Sequence, residues 1–130
     1  MNLQIKDGVV VGFSGEVPEE LVIEGVREVA EGVFKGCRHL RSLKVIGGVI
    51  GKSAFKGCHK LKKVELVRVI GVKEEAFCDC GKLKELILGE IKWLGERAFQ
   101  GCSSLRQVKV PYSLKSIPGT TFLKGCILHR

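Results

Sequence analysis

Apolar positions return along this chain with a period of about 22 residues. Phe34, Phe55, Phe77, Phe99 and Phe122 stand 21, 22, 22 and 23 residues apart. Three residues after each of the first four come Cys37, Cys58, Cys80 and Cys102, while Cys126 follows Phe122 by four. Leu40, Leu61, Leu83 and Leu105 follow those four cysteines by three. Next come Leu43, Val64, Leu86 and Val108, then Val45, Leu66, Leu88 and Val110. Leu-x-x-Val-x-Val describes a short strand that sends two side chains inward at period two. A second apolar pulse in Val26 and Val29, Val69 and Val72, Ile91 and Leu94, and Leu114 and Ile117 predicts a second short strand in each repeat. The segment Ala-Phe-x-Gly-Cys is too short for a full helix and predicts one helical turn closed by glycine. The glycine is Gly36, Gly57, Gly101 or Gly125, and Asp79 replaces it in the middle repeat.

One such unit cannot bury its own apolar face, but stacked units bury a continuous column, phenylalanine on phenylalanine and leucine on leucine. The pattern therefore predicts a solenoid of about five coils. The repeat between Phe34 and Phe55 is one residue short, and a tight turn at Gly47-Gly48 can absorb the deletion. Upstream, Asp7-Gly8 reads as a hairpin turn between Ile5 and the run Val9-Val10-Val11. The expected organisation is one repeat domain over 1–130. It has an N-terminal cap hairpin and first strand over 1–31, repeats over 32–126 and a truncated last coil over 127–130.

The stretches IGKSAFKGCHKLKKVEL, LGERAFQGCSSLRQVKVP and SIPGTTFLKGC, with the opening IKDGVVVGFSG…ELVIEGVREVAEGVF, resemble the BspA-type leucine-rich repeat. That resemblance implies a right-handed leucine-rich-repeat solenoid of the α/β class, strand-rich with short helical turns. It also implies a surface location. The departures are Asp79 for glycine, Val33 and Thr121 for alanine, and few prolines after the strand.

The six cysteines change the picture little. Four share one repeat position, so stacking sets them in a row about 4.8 Å apart. A small buried thiol suits that place and can donate weakly to a carbonyl. Ladder side chains run parallel, which suits neither disulfides nor the converging ligands of a zinc site. Cys78, next to Phe77 and outside the ladder position, is the expected exposed thiol. No metal site and no cofactor is expected. Reduced cysteines, and an opening MNLQIKDGVVVGF without a basic stretch ahead of a long apolar one, favour the cytoplasm. The family resemblance favours the cell surface, and both stay open. No apolar run approaches the length of a membrane span.

His39, His59 and His129 fall at unrelated repeat positions, and Gly47-Gly48 does not continue into a phosphate-binding loop. Carboxylate pairs such as Glu19-Glu20 and Glu74-Glu75 read as solvated surface. With no constellation for acid–base or nucleophilic chemistry, the chain is expected not to be an enzyme.

Charge points instead to a surface. The formal net charge is +8, yet residues 1–31 hold two basic and seven acidic side chains, net −5, leaving +13 over 32–130. On the outward side of the predicted strands, Arg41, Lys62, Lys84 and Arg106 occupy one position. Ser42, Lys63, Glu85 and Gln107 occupy the next, and Val22, Lys44, Glu65, Ile87 and Lys109 a third. Four cations in register repel one another, and nothing in the core requires them. The candidate binding ridge is Arg41, Lys62, Lys84, Arg106, Lys44, Lys63 and Lys109. Non-catalytic protein–protein interaction through this strand face is the expected function, with exposed apolar residues such as Ile87 and Val67 contributing. Binding of an acidic polymer, glycan or nucleic acid, is the first alternative. With one Trp and one Tyr, the chain offers few stacking platforms for nucleic acid. A structural or adhesive array is the second alternative, since Phe122, Cys126 and Leu128 are expected to form an incompletely covered coil that could meet another copy.

Overall fold

The computed structural model describes residues 1–130. It opens with an antiparallel hairpin of β1 (Asn2–Lys6) and β2 (Val9–Ser14). At its turn Asp7 and Gly8 both have positive φ, 52° and 79°. This is the mirror-image turn whose twist matches a hairpin and which Asp-Gly favours.

The chain then winds. Strands β3 (Glu20–Glu24), β5 (Ser42–Ile46), β7 (Lys63–Val67) and β9 (Glu85–Ile87) form a parallel sheet in that order. Two-residue strands β4 (Glu28–Val29), β6 (Val49–Ile50), β8 (Gly71–Val72) and β10 (Trp93–Leu94) extend the hairpin into a six-stranded sheet. Repeat and register coincide: Leu21, Leu43, Val64 and Leu86 are successive partners, all buried. A third side of each coil is a turn segment that pairs without forming a strand. The Phe34 N–H donates to the Ala54 carbonyl at 2.8 Å, Phe55 to Ala76, Phe77 to Ala98 and Phe99 to Thr121, each at 2.8 Å.

Inside, the phenylalanines stack face to face. Ring centroids of Phe34, Phe55, Phe77, Phe99 and Phe122 are 5.1–5.3 Å apart with planes within 2–8° of parallel. Phe13 joins the column 5.1 Å from Phe34. The stack is thus six rings deep, one more than the repeat spacing counts, because Phe13 lies in the hairpin and lacks the cysteine that follows each of the others.

Two further expectations are corrected. The expected helical turns are absent: the Ala-Phe-x-Gly-Cys segments are bare turns, with Cys58 N–H donating to the Phe55 carbonyl and Cys80 to Phe77, both at 3.3 Å. A left-handed residue stops helix growth on either side, Ser53 and Gly57 in one coil and Glu75 and Asp79 in the next. The second strand also fails in the last repeat, where Leu114 is buried but no strand forms and Ile117 is half-buried. At Gly47-Gly48 both residues are left-handed, φ 82° and 79°, and a Cβ at Gly48 would sit 2.7 Å from the Val26 carbonyl. That close approach lets a coil one residue short keep register.

Thr121, at an alanine position, is fully buried and donates its hydroxyl to the Gly95 carbonyl at 3.0 Å. At the far end, β11 (Gln107–Lys109) pairs in parallel only with β12 (Ile127–His129), and no ladder joins β9 to β11. Phe122 is covered there, while Ile127 is 63% and Leu128 40% exposed.

Candidate functional site

The strand face carries the charged residues in the order their register dictates. Val22, Lys44, Glu65 and Ile87 are successive partners on the outward side. Arg41, Lys62 and Lys84 sit just ahead of their strands and are tied by the backbone. The Lys62 N–H donates to the Arg41 carbonyl at 2.8 Å and Lys84 to Lys62 at 2.9 Å. The same ladder reaches back to Glu19, whose carbonyl accepts from Arg41 N–H at 2.8 Å.

Glu19 thus stands on the cation stripe one coil earlier, where a list of cations overlooks it. Its carboxylate meets the Arg41 guanidinium at 3.5 Å. An exposed pair of this kind contributes little stability, but it neutralises one end of the stripe. Lys62, Lys84 and Arg106 are exposed and have no carboxylate within ion-pair distance. Lys44 and Lys63 are half-buried, and Lys109 is exposed. The free positive charge therefore concentrates toward the C-terminal half of the face.

That half is also where the sheet divides. Two clefts lie across the gap between β9 and β11. One, about 420 Å³, is lined by Lys84, Ser104, Arg106 and Gln107. The other, about 300 Å³, is lined by Leu86, Ile87, Leu88, Gly89, Lys109 and Pro111. Ile87 is 45% exposed at the mouth of the second, whereas Val67 is half-buried and offers less. A cationic cleft beside an apolar one is a pairing that no single repeat position reveals.

The thiols take no part in this face. Cys58, Cys80 and Cys102 are buried, and each donates to a carbonyl of the preceding coil: Phe34 at 3.3 Å, Phe55 at 3.3 Å and Phe77 at 3.2 Å. Neighbouring ladder thiols and burial push Cys58 and Cys80 far above the ordinary thiol range. Cys37, at the open end of the ladder, is half-buried. The Cys58 thiol beside it lowers its pKa. Cys78 corrects the expectation of an exposed thiol: it is buried, and burial is the main cause that raises its pKa. Lys56 and Gln100 hold the same repeat position on the flanking coils. The carboxylates Glu74 and Glu75 are less solvated than expected. Glu75 accepts a 2.9 Å hydrogen bond from Lys56, and Glu74 lies 3.7 Å from both Lys52 and Arg97.

Comparison with known proteins follows the same lines. The model of the BspA type leucine rich repeat region matches residues 27–130, in six copies. Among solved structures, a leucine-rich repeat protein of T. pallidum is 27% identical with a TM-score of 0.68, over 82% of this chain and 53% of its own. One from Bacteroides ovatus is 30% identical with a TM-score of 0.68, over 85% and 33%. A leucine rich cell surface protein of Faecalibacterium prausnitzii shares the fold, with a TM-score of 0.77 at 22% identity over 93% and 38%. The chain spans about half the length of the first of these and a third or slightly more of the other two. Comparison with curated proteins matches none.

Proposed function

The chain belongs to the BspA-type leucine-rich-repeat family, a repeat-based binding module, and from that premise we propose that it recognises a protein partner through its strand face. The observation that carries this reading is the pair of clefts between β9 and β11. Lys84 and Arg106 supply unneutralised positive charge, while Ile87, 45% exposed, supplies apolar surface beside it. An apolar centre within a charged rim is the make-up of a specific protein interface, and the sign of the rim selects an acidic partner.

The test compares the protein with a Lys62→Glu/Lys84→Glu/Arg106→Glu variant as baits in one extract, read by quantitative mass spectrometry. A partner retained by a charge-reversed Lys35→Glu control on the turn side, and lost by the triple variant, supports the reading. Equal recovery by all three baits overturns it. Direct titration with heparin and single-stranded RNA at low and near-physiological salt separates the polymer alternative. Binding to a polyanion by charge alone falls steeply with salt; an apolar-centred contact does not.

A further inference from the structure

The outward side of the second sheet holds a different feature. Register places Glu28, Val49, Gly71 and Trp93 as successive outward neighbours across β4, β6, β8 and β10. Trp93, the only tryptophan, lies over Gly71: a Cβ built there would clash with Cδ2, Cε2 and Cζ2 of the indole. One face of the ring rests on bare backbone, and the residue remains 39% exposed. Glycine at this one register position lets the ring lie down on the sheet.

Beside the ring is an open cleft of about 540 Å³, lined by Glu31, Lys52, Lys73, Glu74, Gly95 and Glu96 together with Trp93. Its walls offer ammonium donors and carboxylate acceptors, and the indole is its one apolar surface. We propose that this cleft is a binding site for a neutral pyranose oligosaccharide, with Trp93 as its stacking platform. The site is separate from the strand face and does not rest on the function proposed for that face.

Chemistry selects this class of ligand. A pyranose ring has one face of C–H bonds, whose positive hydrogens meet the negative face of an indole. Around its edge it presents hydroxyls that both donate and accept, matching mixed lysine and glutamate walls. An apolar peptide would strip water from these charged walls without offering them a hydrogen bond. A polyanion would meet three carboxylates. A quaternary ammonium would find one aromatic face where such ligands use a cage, and most of the negative charge already engaged. Lys73 lies 3.4 Å from Glu28, Lys52 3.7 Å from Glu74, and Arg97 within 4.0 Å of Glu96.

The single tryptophan reports on the site directly. Tryptophan emission is followed while N-acetylchitotriose, cellotriose or maltotriose is added to millimolar concentrations, with calorimetry as the second readout. A saturable emission change with at least one of the three is expected. Trp93→Ala should weaken that binding about tenfold or more by calorimetry. Gly71→Ala, which lifts the ring without removing it, should weaken it too while circular dichroism stays unchanged. The absence of any emission change or heat with all three sugars overturns the proposal. So does binding that persists unaltered in both variants.

Discussion

At the scale of the residue, left-handed backbone and thiol ionisation set the sharpest expectations. Arg68 holds φ 52° at the corner where the two preceding coils have Gly25 (φ 76°) and Gly47 (φ 82°). A side chain in this region costs about 1–2 kcal/mol that glycine avoids. Glycine returns part of that through a freer unfolded chain. Arg68→Gly is therefore expected to raise stability by roughly 0.5–1 kcal/mol, and a loss of stability on denaturant titration would contradict the corner geometry. Among the thiols, the thiolate is what reacts. Cys37, half-buried with a lowered pKa, should alkylate first near neutral pH. Cys126, also half-buried and with its pKa raised by burial, should follow only as pH climbs. Cys58, Cys80 and Cys102 should react only on unfolding. Peptide mapping after brief iodoacetamide treatment decides this, and early labelling of Cys78 would be inconsistent with its burial. Glu75 adds an acid dependence, because its hydrogen bond from Lys56 holds its carboxyl below the usual range. The stabilisation is complete above the unfolded carboxyl's pKa and disappears as pH falls through the lowered one. Glu75→Gln should therefore lower the melting temperature at neutral pH, and the difference should shrink as pH falls below the ordinary carboxylate range.

At the scale of the element, each coil is a strand, a two-residue strand and a turn, none of them stable alone. Their common support is the phenylalanine column. Phe77 has a ring on each side, at 5.2 and 5.3 Å, and is fully buried. Phe77→Ala is expected to cost about 3–5 kcal/mol from lost transfer and the cavity left behind. Phe13 has one ring neighbour and is only partly buried, so Phe13→Ala should cost clearly less. Equal losses by chemical denaturation would mean that the rings do not stabilise one another along the stack. The alanines before them have their own reason. Ala54, Ala76 and Ala98 are fully buried where the turn segments pair, and only a small side chain fits. Thr121 is accommodated at that position because its hydroxyl finds the Gly95 carbonyl.

At the scale of the whole molecule, stability in a stacked fold is close to a sum of coil and interface contributions. Its weakest interface on the strand side is the one between β9 and β11, which lacks a ladder. Hydrogen exchange should accordingly find the amides of 107–130 the least protected of the repeats, with those of β5 and β7 exchanging last. Uniform protection from β5 to β12 would show that the turn-side hydrogen bonds and the phenylalanine column bridge the gap fully. The same division opens the two clefts on the strand face, so a segment of lower stability and the proposed binding surface coincide.

The sequence by itself determined the solenoid. A block of apolar positions held in phase over five phenylalanines admits one burial scheme, and Asp7-Gly8 specifies its hairpin turn locally. The outward cation stripe was legible for the same reason, since inward and outward alternate along a strand. Features that depend on a neighbouring coil were decided only by the tertiary structure. Phe13 entered the column without its motif, and Cys78 was buried by the coils above and below it. Glu19 neutralised the first cation of the stripe from one coil away. The sheet parted between β9 and β11, although both carry the same apolar pattern. Trp93 came to lie on Gly71, 22 residues earlier in the chain, because register alone sets them side by side. A repeat fixes what each position does within its coil; its surroundings come from the coil stacked upon it.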